Sequence, residues 1–120
     1  MDDSVAIQGV WQIVKAELSG EEMPEFVAQK IEVELADGNY TVRFSGEISD
    51  RGTYALDASL PIKTLRLSGL EGSNAGRMIP AIYQLVGDRL RVCYGLDGIS
   101  PEAFSTSVDQ KQYLAMYRRT

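Results

Sequence analysis

Between residues 31 and 44 the chain alternates so strictly that little other than a sheet can accommodate it. Ile31-Glu32-Val33-Glu34-Leu35 and Tyr40-Thr41-Val42-Arg43-Phe44 each place apolar and polar residues in turn, with Asp37-Gly38-Asn39 between them. A period of two puts all the apolar side chains on one face of a strand. Asp-Gly-Asn supplies the backbone conformations that a tight hairpin needs. The segment is therefore a hairpin with one dry face, which the rest of the chain must cover.

The remaining residues read the same way. Residues 8–18 form a first strand in which Trp11 and Ile13 share one parity and Val14, Ala16 and Leu18 the other. A change of face in mid-strand predicts a bulge or bend near Ile13–Val14, as a barrel corner requires. Ser19 to Glu22 is a turn. Met23 to Gln29 makes one or two helical turns, with Pro24 suited to the first position and acids at the end where the helix dipole favours them. Further strands are predicted over 48–56, 63–68, 77–86, 89–94 and 112–119. Ser45-Gly46-Glu47 and Gly87-Asp88 are turns, Asp57 to Pro61 breaks the chain, and Gly69 to Gly76 is a glycine-rich connection. The segment 95–111, holding Pro101 and Phe104, is the longest loop. Pro80 is expected at an edge or bulge.

Short strands at regular spacing argue an all-β barrel or sandwich. Successive hairpins favour an up-and-down meander whose closure removes exposed edges. The expected fold is one domain, residues 1–120: an eight-stranded antiparallel up-and-down barrel with one short helix after strand one.

Charge and composition narrow the function. The net charge is −5, which argues against nucleic acid, whose phosphates demand a basic face. Residues 1–50 hold 11 acids and 3 bases, while residues 51–120 hold 6 acids and 9 bases, so the halves suit one another in a closed sheet. No run approaches the ~20 apolar residues of a membrane span. The acidic start, Met1 to Ser4, lacks the pattern of a signal peptide. The chain as given reads as cytoplasmic, or as a secreted or periplasmic chain whose signal was removed. One cysteine allows no internal disulfide, and the absence of histidine leaves no Ser-His-Asp or Cys-His pair and no His-based zinc site. No catalytic residue, metal ligand or cofactor is expected, and the chain is read as not an enzyme.

Local constellations mostly have plain readings. Gly69 to Gly76 lacks the Gly-Lys-Ser/Thr ending of a phosphate loop and leads into a strand. Glu32 and Glu34 share a face opposite Ile31, Val33 and Leu35, and so face solvent. Arg89 and Arg91 likewise read as a basic exterior; with the faces reversed, Arg91 and Cys93 would point inward and Arg91 could meet a ligand carboxylate. Cys93 is expected to be a small buried hydrophobe. All six tyrosines fall on strands, so each points into the barrel or out of it. Inward tyrosines either fill the interior or line space for one small ligand, since eight strands are wide enough for either.

Several pieces together resemble a known family. They include Gln8-Gly9-Val10-Trp11, Glu17 through Pro24, Tyr40-Thr41-Val42, Gly52 through Asp57, Pro61 through Leu65, Ile82 through Leu85 with Gly87-Asp88, Leu90 through Cys93, and Glu102-Ala103-Phe104. In order and spacing they are similar to the small bacterial lipocalin-like domain first noted in planctomycete proteins. The resemblance implies that Trp11, behind Gly9, closes the barrel floor with Arg118 or Arg119 stacked on it. It also implies a barrel able to hold a small apolar molecule, without a transferable activity.

Two functional classes follow. One is a non-catalytic barrel binding a small, mostly apolar ligand, supported by an internal cavity of roughly 300 Å³ or more. The other is a structural or protein-interaction module with a filled barrel. For the first, the entrance lies opposite Trp11, with Met23, Phe26 and Val27 facing down over it and Glu21, Glu22 and Glu25 facing water. The ligand is expected to be neutral or cationic and to touch Phe26, Phe44, Tyr54, Met78, Tyr83 and Tyr94.

Overall fold

The computed structural model describes residues 2–59 and 61–120; Met1 and Leu60, which belong to the acidic start and the break read above, lie outside the described residues. A short helix α1 (Asp3–Ala6) precedes strand β1 (Gly9–Leu18). A two-residue strand β2 (Glu21–Glu22) and a second short helix α2 (Glu25–Ala28) follow. Then come β3 (Ile31–Ala36), β4 (Asn39–Phe44), β5 (Glu47–Asp57), β6 (Thr64–Gly72), β7 (Met78–Val86), β8 (Arg89–Gly95) and β9 (Gln112–Arg119). From β3 to β9 each strand pairs antiparallel with the next, and β1 bonds both β3 and β9. The sheet therefore closes into an eight-stranded up-and-down barrel, with β2 folded back on the end of β1 outside the count.

The register explains the closure. β1 pairs with β3 only through Gly9 to Gln12, and its later half pairs with β2 instead. On its other side it runs the full length of β9, with a register shift between Ile13 and Lys15. Val14 is the extra residue. It lets Trp11, Ile13 and Ala16 all point inward, which is the change of face seen in the sequence. α2 occupies the gap where β1 leaves β3. The Gln12 side chain fastens it there, its Nε2 donating to the carbonyls of Gln29 and Ile31 at 2.9 Å each.

Further register shifts fall between Val42 and Arg43 on β4 and between Arg51 and Gly52 on β5, while inward parity is regular along β3, β7 and β8. Val33 and Leu35 on β3, Leu65 and Leu67 on β6, Ile79, Ala81 and Tyr83 on β7, and Leu90, Val92 and Tyr94 on β8 form one core. Gly52 on β5 faces Tyr40 across the sheet; a Cβ there would meet the Ser68 carbonyl and come within 2.7 Å of the Tyr40 ring. Glycine at this bulge lets the strands approach and the ring lie across them.

Three expectations need correction. The only helix was expected after strand one, but α1 precedes it, and Asp2 caps α1 by accepting from the Ser4 amide at 3.0 Å, as short polar side chains do. The turn Ser19–Glu22 contains β2. The glycine-rich connection is shorter than read, because β6 continues to Gly72. The long loop folds back over the outside of the barrel, where Phe104 packs with Ile82, Cys93, Leu114 and Met116 in a second small core. Arg91 lies over the Phe104 ring, 4.0 Å from its centre, and Cys93 is buried beneath the loop. Arg91 and Cys93 thus face outward, and the reversed-face reading fails. Glu32 and Glu34 also face out, both paired with Arg43 at 3.7 and 2.6 Å. Pro80 pairs with Arg66 on β6 and lies beyond the last β7–β8 pair, so its missing N–H falls at a local edge.

Candidate functional site

The two ends of the barrel differ. The connections β3–β4, β5–β6 and β7–β8 and both chain termini lie at one end, and that end is plugged. Trp11 and Ile7 are fully buried there. The indole N–H of Trp11 donates to the Ile7 carbonyl at 2.8 Å, which meets the need of a buried ring for a polar partner. Arg119 lies over the indole, 4.2 Å from its centre, and donates to the carbonyls of Gln8 and Ala6 at 2.7 and 2.6 Å. Of the two candidates for the stacked arginine, it is Arg119; Arg118 is exposed. Gly9 lies beneath the guanidinium, with a backbone φ of +137°, and a Cβ there would stand 2.8 Å from Nη1. Asp3 of α1 completes the plug. Its carboxylate accepts from Lys63 Nζ at 2.8 Å and from the Tyr83 hydroxyl at 2.9 Å. The Lys63 bond holds the Asp3 carboxyl below its ordinary range.

Above this floor the barrel is not filled. A cavity of about 240 Å³ runs from Trp11 and Ile13 up to Ile31, Phe44, Ser49, Ser73 and Leu96 at the other end. It falls short of the roughly 300 Å³ of ordinary ligand pockets. At a water's share of ~30 Å³ it equals about eight waters, space for a molecule of one ring and a short tail. Its walls are aliphatic and aromatic, with two polar features. The Tyr94 and Tyr117 hydroxyls share a hydrogen bond at 2.8 Å in the buried interior. Burial pushes both phenols above the ordinary tyrosine range, and it pushes Tyr113 near the mouth up to about 12, so all three stay neutral at physiological pH.

The second feature is Asp50, which is 5% exposed and lines the cavity. Its Oδ2 accepts from Asn74 Nδ2 at 2.7 Å and from the Tyr40 hydroxyl at 3.3 Å, and its Oδ1 from the Arg51 amide at 3.0 Å. Burial first, then the Asp50 charge and hydrogen bond, push Tyr40 up to about 12. Asn74 is held in turn by Arg77, whose Nη1 donates to its Oδ1 at 3.1 Å and whose Nη2 reaches the Leu96 carbonyl across the mouth. No cation lies within ion-pair distance of Asp50 among the described residues. No grouping of three or more acidic, Cys or His side chains suited to a metal occurs among them either.

The six residues expected to touch a ligand separate. Phe44 and Tyr94 line the cavity. Tyr54 and Tyr83 point inward but belong to the packed core towards the plugged end. Met78 is 59% exposed, because it lies on the opposite parity from Tyr83 on β7 and so faces out. Phe26 is 67% exposed; α2 buries Ala28 and leaves the ring in solvent. The residues that sequence reasoning missed are Asp50 and Asn74. Asp50 shares the inward parity of Gly52, Tyr54 and Leu56, so an acid on the dry face of β5 was the available signal. Asn74 had none, since it lies in a turn. No helix is long and apolar enough to cross a membrane among the described residues. Comparison of the chain with protein-family models, with curated proteins and with solved structures gives no match.

Proposed function

We propose that this chain is a non-catalytic, lipocalin-like binding barrel that takes one small, mostly apolar molecule into its open half. The observation that carries this is the apolar cavity above Trp11. A solid core would have closed that space with side chains, because interiors pack as densely as organic crystals. The plugged end supplies the rigidity, and the mouth at Phe44, Ser49 and Ser73 supplies the way in. The reading is tested by titrating the protein with monocyclic hydrocarbons while following the methyl NMR signals of Leu65, Leu67 and Val92. Saturable shifts with micromolar to millimolar affinity, confined to cavity-lining methyls, support it. Shifts that never saturate, or that spread over the outer surface, sink it.

A second reading draws on a different observation. Phe26, Phe44, Ile48, Leu70, Met78 and Ile99, all exposed, belong to strand ends and connections on the open side. Exposed apolar patches mark interaction surfaces. A protein-docking module is the reading to adopt if the hydrocarbon titration fails.

A further inference from the structure

We propose that Asp50 is the anchor of the cavity and that the ligand carries one cationic ammonium group on its apolar body. The inference rests on the binding-barrel reading and names the ligand class for that same cavity. Buried carboxylates are ordinarily paired with a cation or a metal, since burying an uncompensated charge is costly. Asp50 is 5% exposed, yet its partners are an amide side chain, a phenol and a backbone amide, all neutral. The two basic groups nearest in the network are engaged elsewhere: Arg77 donates to Asn74 and Leu96, and the Arg51 side chain lies 3.7 Å from Glu71. Three donors leave acceptor capacity on a carboxylate, which offers about four lone-pair sites. The plugged end shows the contrast, because Asp3 there has Lys63 directly on it.

The rest of the cavity fits the same ligand. Apart from Asp50, Asn74, two serines and the tyrosine hydroxyls, its lining is hydrocarbon and aromatic ring. Aromatic faces at Tyr94 and Tyr113, stacked with centres 5.6 Å apart, favour a cation or an apolar ring beside them. The approach is acidic as well. The open-side segments 19–30, 45–47, 71–77 and 96–111 together hold eight acids against three bases. Such a rim raises the local concentration of small cations and repels anions, most strongly at low ionic strength. With about 240 Å³ to fill, the ligand is an amine of one ring and a short tail rather than a long-chain lipid.

The test compares three probes of one shape: phenethylammonium, its neutral counterpart propylbenzene, and phenylacetate as the anion. Each is titrated into the wild-type protein by NMR, and the two that carry the argument into Asp50→Asn and Asp50→Glu. In the wild type, phenethylammonium binds roughly tenfold tighter than propylbenzene or better, as a charged hydrogen bond in a buried site implies, and phenylacetate binds weakest. Its amide shifts include Arg51 and Asn74, which propylbenzene leaves unmoved. In Asp50→Asn the amine preference disappears while propylbenzene binds as before, and Asp50→Glu retains part of the preference. Equal binding of amine and hydrocarbon to the wild type overturns the anchor role while leaving the binding barrel intact. An amine preference that persists in Asp50→Asn does the same. Absence of saturable binding by every probe overturns both. The wild-type comparison stands even if a variant fails to fold.

Discussion

Tyr83 and Tyr94 point into the barrel from neighbouring strands, and their surroundings have nothing else in common. Tyr83 lies towards the plugged end, where its hydroxyl donates to the Asp3 carboxylate, itself paired with Lys63. Tyr94 lies in the open half, where its hydroxyl meets only that of Tyr117 beside unfilled space. At one end every buried polar group answers another across the plug: Trp11 and Ile7, Arg119 and the Ala6 and Gln8 carbonyls, Asp3 and Lys63. At the other, a buried acid is held by neutral groups and the walls do not meet. One barrel thus divides into a packed half that stabilises it and a hollow half whose walls do not meet. The dividing layer is Trp11, which belongs to both.

The heaviest blow to that division is at the layer itself. Trp11→Ala removes a fully buried indole, a cation–π contact and the acceptor's partner at Ile7 together. It should cost ~3–5 kcal/mol in denaturant unfolding, the usual scale for a large buried aromatic. A native tryptophan emission already red and solvent-like would show that the layer is not sealed, and the comparison of the two ends would fail.

Alkaline pH attacks the hollow half next. Tyr40 and Tyr113 are raised from 10.0 to about 12, chiefly by burial. A raised folded-state value means that the folded protein holds its phenolic protons longer than the unfolded chain does. The resulting stability is fully present below about pH 10 and is lost as the pH climbs through about 12. Unfolding midpoints measured from pH 9 upward should therefore fall across that window, together with the rise of tyrosinate absorbance. Tyrosinate signals from all six residues near pH 10 in the still-folded protein would mean that the interior is open to water.

A smaller effect sharpens the account of the plug. Gly9→Ala asks alanine to adopt a φ of +137° and sets its Cβ 2.8 Å from the Arg119 guanidinium. The guanidinium can shift, so most of the cost is backbone strain, of order 1–3 kcal/mol. A neutral substitution would mean that the backbone at Gly9 relaxes out of its positive φ without disturbing the plug.

Much of this architecture was legible because alternation dictates parity, and parity dictates which face is buried. The change of face between Ile13 and Ala16 pointed to the bulge at Val14, whereas the floor of Trp11 with a terminal arginine was what the family resemblance implied and not a matter of parity. The choice of ligand contacts went wrong where parity was not applied along a single strand: Met78 and Tyr83, five residues apart on β7, cannot both face in. Asp50 was overlooked for the same reason, since parity carried along β5 places it with Gly52, Tyr54 and Leu56 on the inward face. The plug helix was hidden because a four-residue helix has too little periodicity to read; only the cap at Asp2 marked it. The outer core under the long loop had a signal that went unused. β8 and β9 are apolar on both faces, through Val92-Cys93-Tyr94 and Leu114-Ala115-Met116, and a strand apolar on both faces is covered on both.

The smallest expected effect separates the hollow half from its rim. Phe44 and Phe26 are both exposed phenylalanines on the open side, but only Phe44 lines the cavity. Truncating Phe26 removes a ring that is 67% in solvent, so Phe26→Ala should change stability by no more than ~0.5 kcal/mol. On the binding-barrel reading it should also leave hydrocarbon affinity unchanged, because the ring is not a wall of the cavity. Phe44→Ala removes part of the wall and should weaken the same hydrocarbon several-fold at little cost in stability. If instead the Phe26 variant loses affinity and the Phe44 variant keeps it, the molecule being bound sits on the rim, and the cavity is not the site.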